Sequence, residues 1–278
     1  LWEEARRRQS SYDIIVNFAY DWLPFFLTPF FATPAAHLVS MSSLLDAMDT
    51  VIGEVVAAFP ARVAMHTHAQ ARTFPFGAEC PILGNGVDLD LYPYNPSPQP
   101  HLCWVGRIAP EKGLEDAAAV AQATGTPLRV YGRLQDPDYL RRVLSEFAGA
   151  PISYHGFLDT RALAEAIGHA QALLVTPRWI EAFGNVVMEA LACGVPVVAY
   201  RRGGPAEMIE DGRTGWLVEP GSVDGLIGAV RRLDQLDRAA CRRQAERDFS
   251  LEALGRRWEQ WFDRILAAEP TVQSAGRA

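Results

Sequence analysis

The sequence predicts an α/β protein built from doubly wound, mostly parallel sheets. Apolar runs of four to seven residues alternate with helical patterns from end to end, the mark of consecutive βαβ units. A run with four prolines in nine residues, Tyr92–Pro100, separates a short front part from a longer back part. The composition, 49% hydrophobic and 21% charged, is that of an ordinary globular protein.

In the front part, strands are expected at Tyr12–Phe18, Ala35–Met41, Arg62–His66 and Pro81–Gly84, with a helix over Met41–Phe59. The chain opens with Leu1, and Leu1–Gln9 reads as the end of a helix. The front domain, residues 1–92, is therefore expected to be incomplete, short of one or two βα units. Prolines exclude residues 93–100 from a helix or a central strand, and their stiffness suits a linker. Residues 101–249 should form a complete doubly wound domain. Its strands are His101–Gly106, Pro127–Tyr131, Ile152–Gly156, Ala172–Thr176, Val195–Tyr200 and Gly215–Val218. Helices are expected over Gly113–Thr124, Asp138–Phe147, Thr160–Ala170 and Ala182–Ala192. Ser250 can cap a helix over Leu251–Ala267, whose Leu254, Trp258, Trp261, Phe262 and Ile265 share one apolar face. Residues 250–269 should pack back toward the N-terminal domain, leaving 270–278 as a disordered tail.

A formal net charge of −7 argues against a nucleic-acid partner. Cys80, Cys103, Cys193 and Cys241 are scattered, without metal-ligand spacing, which suits a reducing cytoplasm. Phe18–Val39 is apolar, but Asp21, Pro24, Pro29, Pro34 and His37 interrupt it, so no stable membrane insertion is expected. Oligomeric state leaves no trace in the sequence.

Three segments carry chemistry. Trp104–Gly113 follows a strand and opens a helix, where the carboxyl edge of a doubly wound sheet binds ligands. Gly106 allows close backbone approach, and Arg107 and Lys112 can converge on one anion such as a diphosphate. Solvated cations on a surface turn are the plain alternative. In Glu181–Pro196 two glutamates, Glu181 and Glu189, stand eight positions apart across a strand–turn–helix junction. One carboxylate can face a ribose and the other a sugar ring, while the turn at Gly184 leaves amides for phosphate oxygens. A lone solvated glutamate is the usual reading of either, yet the apolar helix around Glu189 makes an unpartnered carboxylate costly. Arg201–Ile209, with paired glycines, is the third segment and by itself only a βα turn. No G-x-G-x-x-G follows any candidate strand, which disfavours a dinucleotide-dependent oxidoreductase.

Together with Asn85–Asp88 and Gly215–Pro220, these segments resemble family 4 of the retaining glycosyltransferases, in order over nearly all of the back domain. The resemblance implies the GT-B fold, with two Rossmann-like doubly wound domains. It implies that Gly106, Arg107 and Lys112 hold the donor diphosphate and that Glu189 takes the ribose hydroxyls. Glu181 would contact the transferred sugar, with Phe183, Gly184 and Asn185 supplying backbone contacts. His37, read as ending its strand, resembles the family's sugar-contacting histidine, although a satisfied structural histidine fits equally well. No metal or cofactor is needed in this reading, and UDP-glucose would be a substrate.

The aromatic run Asn17–Phe31, with Thr33–Met41, Thr73–Gly77, Thr176–Trp179 and Ala182–Gly194, is further similar to cyanobacterial UDP-glucose:tetrahydrobiopterin glucosyltransferases. That similarity implies UDP as the donor nucleotide and a reduced pterin as acceptor. Tyr20 and Trp22, flanking Asp21, could line a slot for a flat ring; core packing is the bland alternative. Two rival readings stay open. One is transfer to a lipid-linked or polysaccharide sugar, disfavoured at anionic bilayers because residues 1–97 carry five arginines against ten carboxylates. The other is an inactive fragment that binds sugar nucleotides.

Overall fold

Each strand pair among the described residues is parallel. The computed structural model describes residues 1–268, so the expected tail at 270–278 lies outside the described residues. The chain divides into two units: Leu1–Gly84 with the described part of Gly255–Ala278, and Asn85–Leu254.

The second unit contains six strands: β4 (Leu102–Val105), β5 (Leu128–Tyr131), β6 (Ile152–Tyr154), β7 (Ala172–Val175), β8 (Val197–Tyr200) and β9 (Gly215–Val218). They lie in the order β6-β5-β4-β7-β8-β9. Counted within the unit this is 3-2-1-4-5-6, a doubly wound arrangement with its reversal between β4 and β7. Alternation along each strand feeds two cores. Leu102, Trp104, Leu174 and Val198 join Leu114, Ala117, Ala121 and Leu226 on one face. Cys103, Leu173, Val175 and Ala199 join Ile167, Val187, Met188 and Leu191 on the other. Helices on both faces explain why these strands are continuously apolar rather than alternating with polar residues.

The first unit holds β1 (Ile15–Asn17), β2 (Ala35–Val39) and β3 (Val63–Met65), with β2 central. Val39, Val63 and Met65 pack with Met48, Val51, Ile52 and Val55 of helix Asp46–Ala58. Ala36, Leu38, Ala64 and Leu83 pack against Trp261 and Ile265 of helix Leu251–Ala268. The Trp261 indole also donates to the Ala61 carbonyl at 2.7 Å.

Three expectations need correction. The strand expected at Pro81–Gly84 is only an isolated bridge, Met65 to Ile82, because Pro81 has no N–H to extend a ladder. The helix expected from Met41 begins at Asp46. Side chains hold the preceding segment away: Gln70 donates to the Met41 carbonyl at 2.9 Å, and the Ser43 amide donates to Thr73 at 2.9 Å. The proline-rich run 93–100 is not a linker between the units. It lies within the second unit, strapped down by Asn95 N–H to the Cys193 carbonyl (3.2 Å), Gln99 N–H to His169 (2.7 Å) and Arg238 Nε to Asn95 (2.8 Å). The chain passes between units at Gly84–Asn85 and Leu254–Gly255 instead.

Candidate functional site

Between β4 and β7 the connections leave in opposite directions, opening a crevice beyond the carboxyl ends of the strands. A cavity of about 200 Å³ lies there, lined by Gly106 and Lys112 after β4 and by Thr176, Pro177, Glu181, Gly184 and Asn185 after β7. Two hydrogen bonds fix its floor. Thr176, 1% exposed, accepts from the Trp104 indole at 3.2 Å and donates to the Gly113 carbonyl at 2.7 Å.

Lys112 ends the turn Pro110–Lys112. Its ammonium lies 2.5 Å from Glu181 Oε2 and 4.9 Å from the centre of the Trp179 ring. The Trp179 indole donates to the same Glu181 oxygen at 3.0 Å. Cation, carboxylate and aromatic face therefore share one point on the cleft wall, a grouping matched to an anion bearing a polar ring. Lys112 is also the only lysine in the chain, against 25 arginines. Trp179 was missed from the sequence, because an aromatic two positions before a glutamate has no periodic signal.

Gly184, at φ 98°, turns the chain into helix Asn185–Ala192, whose start faces the cleft without a capping side chain. A helix start of this kind presents amides and a positive dipole end to an anion. The paired glycines of the third segment now have a reason. A Cβ on Gly203 would lie 2.7 Å from the Glu181 backbone, and one on Gly204 would lie 2.2 Å from the Phe183 carbonyl. Helix Gly203–Met208 thus abuts the loop carrying Glu181, and the Gly204 amide donates to the Glu181 carbonyl at 2.8 Å. The Phe183 side chain is 7% exposed and packs edge-on against Phe249, so its ring does not line the cleft. Asn185 accepts from Asn85 Nδ2 at 3.0 Å, which ties the Asn85–Asp88 segment to the helix start.

Glu189 lies one turn further in and accepts from the Tyr92 hydroxyl at 3.2 Å. Burial raises its pKa above the ordinary carboxylate value, while the Tyr92 bond pulls it down.

Arg107 does not converge with Lys112. Its guanidinium is 3.0 Å from Glu111 and 2.5 Å from Gln135, because the turn supplies an acid four residues on. It borders a neighbouring depression of about 320 Å³ shared with Gly132, Arg133, the exposed Phe157 and Leu163. The two hollows are contiguous through Val105 and Gly106, which line both.

In the first unit, β2 continues to Val39, so His37 is mid-strand rather than at the strand end as the sequence reading had it. It is 0% exposed and stacks on Phe25 at 4.4 Å. Nδ1 lies 3.1 Å from Asn17 Nδ2, and Nε2 lies 2.8 Å from Thr28 Oγ1. Asn17 Oδ1 takes the Ala19 amide (3.0 Å), so its Nδ2 donates to Nδ1, and the ring proton is assigned to Nε2. Burial, then Arg62, lowers its pKa to about 3. This is the satisfied structural histidine, not one presenting a nitrogen to a sugar. Nor do Tyr20, Asp21 and Trp22 form a slot. Asp21 caps helix Trp22–Leu27 through the Leu23 amide (3.3 Å), Tyr20 packs on the core around Val51, and Trp22 stacks on Phe26 at 4.4 Å. Adjacent residues at a helix start diverge, and the cap requirement claims the aspartate.

The family model described as Glycosyl transferases group 1 matches residues 94–248. The chain belongs to this family. Its curated relatives include glycogen synthase of Mycobacterium tuberculosis, 34% identical over 211 residues, covering 70% of this chain and 48% of that protein. D-inositol 3-phosphate glycosyltransferase of Mycobacterium marinum is 32% identical over 173 residues, covering 60% of this chain and 37% of that protein. The chain therefore spans less than half the length of either. Among solved structures, Anabaena Alr3699/HepE in complex with UDP superposes with a TM-score of 0.83 at 17% identity, covering 94% of this chain and 81% of that one. AviGT4, a glycosyltransferase involved in avilamycin A biosynthesis, gives 0.76 at 22%, covering 96% and 78%. These likenesses carry the fold, and the α/β architecture with parallel sheets is that of GT-B glycosyltransferases. No helix among the described residues is long and apolar enough to cross a membrane.

Proposed function

We propose that this chain supplies the donor site of a retaining glycosyltransferase that moves a hexose from a nucleoside diphosphate sugar. UDP-glucose is the first donor to test. The observation that carries this reading is a pair of adjoining hollows along the carboxyl edge of the sheet, one at the β4–β7 reversal and one among the loops that follow β4, β5 and β6. One has Lys112, Glu181 and a helix start on its wall; the other has an exposed aromatic ring, Phe157. A diphosphate-linked sugar suits the first and a nucleobase the second. Anabaena HepE was solved with UDP and glucose on the same fold, which supports UDP as the probe.

In the reaction, the bond from the anomeric carbon to the diphosphate breaks and the acceptor oxygen bonds on the same face. The acceptor's proton leaves with the nucleoside diphosphate. Negative charge grows on the leaving phosphate, and Lys112 with the amides opening helix Asn185–Ala192 stabilises it. Glu181 accepts from sugar hydroxyls, freed from Lys112 as the diphosphate takes the cation. Glu189 accepts from the ribose. No metal enters this reading, so turnover should persist in excess EDTA.

A reduced pterin as acceptor rests on sequence resemblance alone, since Tyr20, Asp21 and Trp22 point to separate tasks. Anaerobic incubation of the protein with UDP-glucose and tetrahydrobiopterin, read by mass spectrometry, decides it. A hexosyl-pterin absent from Glu181→Ala establishes donor and acceptor together. UDP-glucose binding without that product moves the search to sugar and lipid acceptors.

A further inference from the structure

The loop after β7 carries Trp179 and Glu181, and between Pro177 and Trp179 stands an arginine that does not line the cleft. Arg178 Nη1 lies 2.7 Å from Glu115 Oε1, and Nη2 lies 3.3 Å from Asp116 Oδ1. Its backbone amide donates to the Glu111 carbonyl at 2.9 Å. Both carboxylates occupy the first turn of helix Leu114–Thr124, where the helix dipole favours negative charge.

This is more than a loose surface pair. The two carboxylates are only 19% and 14% exposed. Each is oriented by a phenol on its other oxygen: the Tyr139 hydroxyl donates to Glu115, and the Tyr200 hydroxyl donates to Asp116 at 2.8 Å. A planar guanidinium can span two preset acceptors in a way that a point-charge ammonium cannot. The helix that holds these acids begins two residues after Lys112. One rigid element therefore registers both sides of the Lys112–Glu181 pair, the lysine by chain continuity and the glutamate through Arg178. The loop also keeps the Gly204-to-Glu181 bond, the Arg178 amide bond to Glu111 and a bond from Arg202 to the Pro177 carbonyl, so losing the Arg178 guanidinium loosens the loop without releasing it.

We infer that Arg178 is a positioning residue: its fork onto Glu115 and Asp116 sets the loop so that Trp179 and Glu181 meet the hexose end of the donor. This rests on the donor-site reading above. It separates the cleft into a sugar end that depends on Arg178 and a nucleotide end that does not.

The test uses the whole chain with Arg178→Ala, Glu115→Gln, the double variant and Arg178→Lys. Hydrogen exchange is followed over residues 177–184, and UDP and UDP-glucose are titrated by calorimetry. In Arg178→Ala, exchange in that loop should quicken about tenfold and UDP-glucose affinity should fall about tenfold, with UDP affinity held within about twofold. The double variant should be no weaker than Arg178→Ala, because both remove one shared interaction. Arg178→Lys should restore only part of the loss. Unchanged loop exchange, or an unchanged affinity for UDP-glucose relative to UDP, overturns the inference. An equal loss of UDP and UDP-glucose overturns it too, making Arg178 a general support of the fold. A wild-type chain that binds neither probe sinks the donor reading itself, an outcome distinct from all of these.

Discussion

Lys112 and Glu181 form an ion pair across the cleft, each about one-fifth exposed. Such a pair is a resting arrangement that a diphosphate can replace, because the anion offers the ammonium a second partner without stripping its charge of contacts. Lys112→Ala should lower turnover by at least about a hundredfold, the scale of losing one aimed donor. Near-normal steady-state rates in that variant would sink the donor assignment. Deeper in, the Tyr92 hydroxyl favours the charged form of Glu189 against burial. In Tyr92→Phe the carboxyl should protonate at higher pH. The acidic limb of UDP affinity, followed by titration across pH, should therefore move upward, and an unmoved limb would remove Glu189 from the nucleotide site.

The loop from Pro177 to Gly184 is an element shaped by what touches it. Gly203, at φ 65°, lets a helix start press on the Glu181 backbone. Gly203→Ala should cost about 1–3 kcal/mol from the backbone conformation alone, with further loss from the steric clash. It should lower the melting temperature and weaken UDP-glucose together; a variant as stable as wild type would show that the abutment yields easily. In the sequence this glycine pair looked like any βα turn, since its partner lies more than twenty positions earlier. The strands were legible because both faces of the sheet are buried, so that β4, β7 and β8 read as unbroken apolar runs. Segments governed by single hydrogen bonds were not. Arg238 turns a stiff proline run into a strap, and Gln70 keeps Met41 out of a helix. Glu181 and the start of the helix that carries Glu189 were legible together because they share one junction. Arg107 stands apart from Lys112 because Glu111, four residues on, holds its guanidinium locally.

For the molecule as a whole, buried neutral histidines set an acid limit. Burial, then Arg62, holds His37 at about 3, and burial, then Arg129, His169 and His155, holds His101 at about 4. The unfolded chain takes up these protons near pH 6.5, so between there and the folded values it binds more protons than the native protein. The histidine contribution to stability is complete above that pH and falls as pH is lowered, by about 1.4 kcal/mol per unit for each group. Urea midpoints should be lower at pH 5.5 than at pH 7.5. A flat profile would mean that these rings are not enclosed in their neutral form.

A chain whose side-chain amines number one offers its own reporter. An acylating reagent aimed at amines would modify only Lys112 among the side chains, and the rate at which a second acyl mass joins that on the α-amine would report how open the cleft is. If UDP occupies that cleft, the modification should slow in proportion to occupancy. Site occupancy would then be readable from an intact-mass spectrum, with no enzymatic assay and no knowledge of the acceptor.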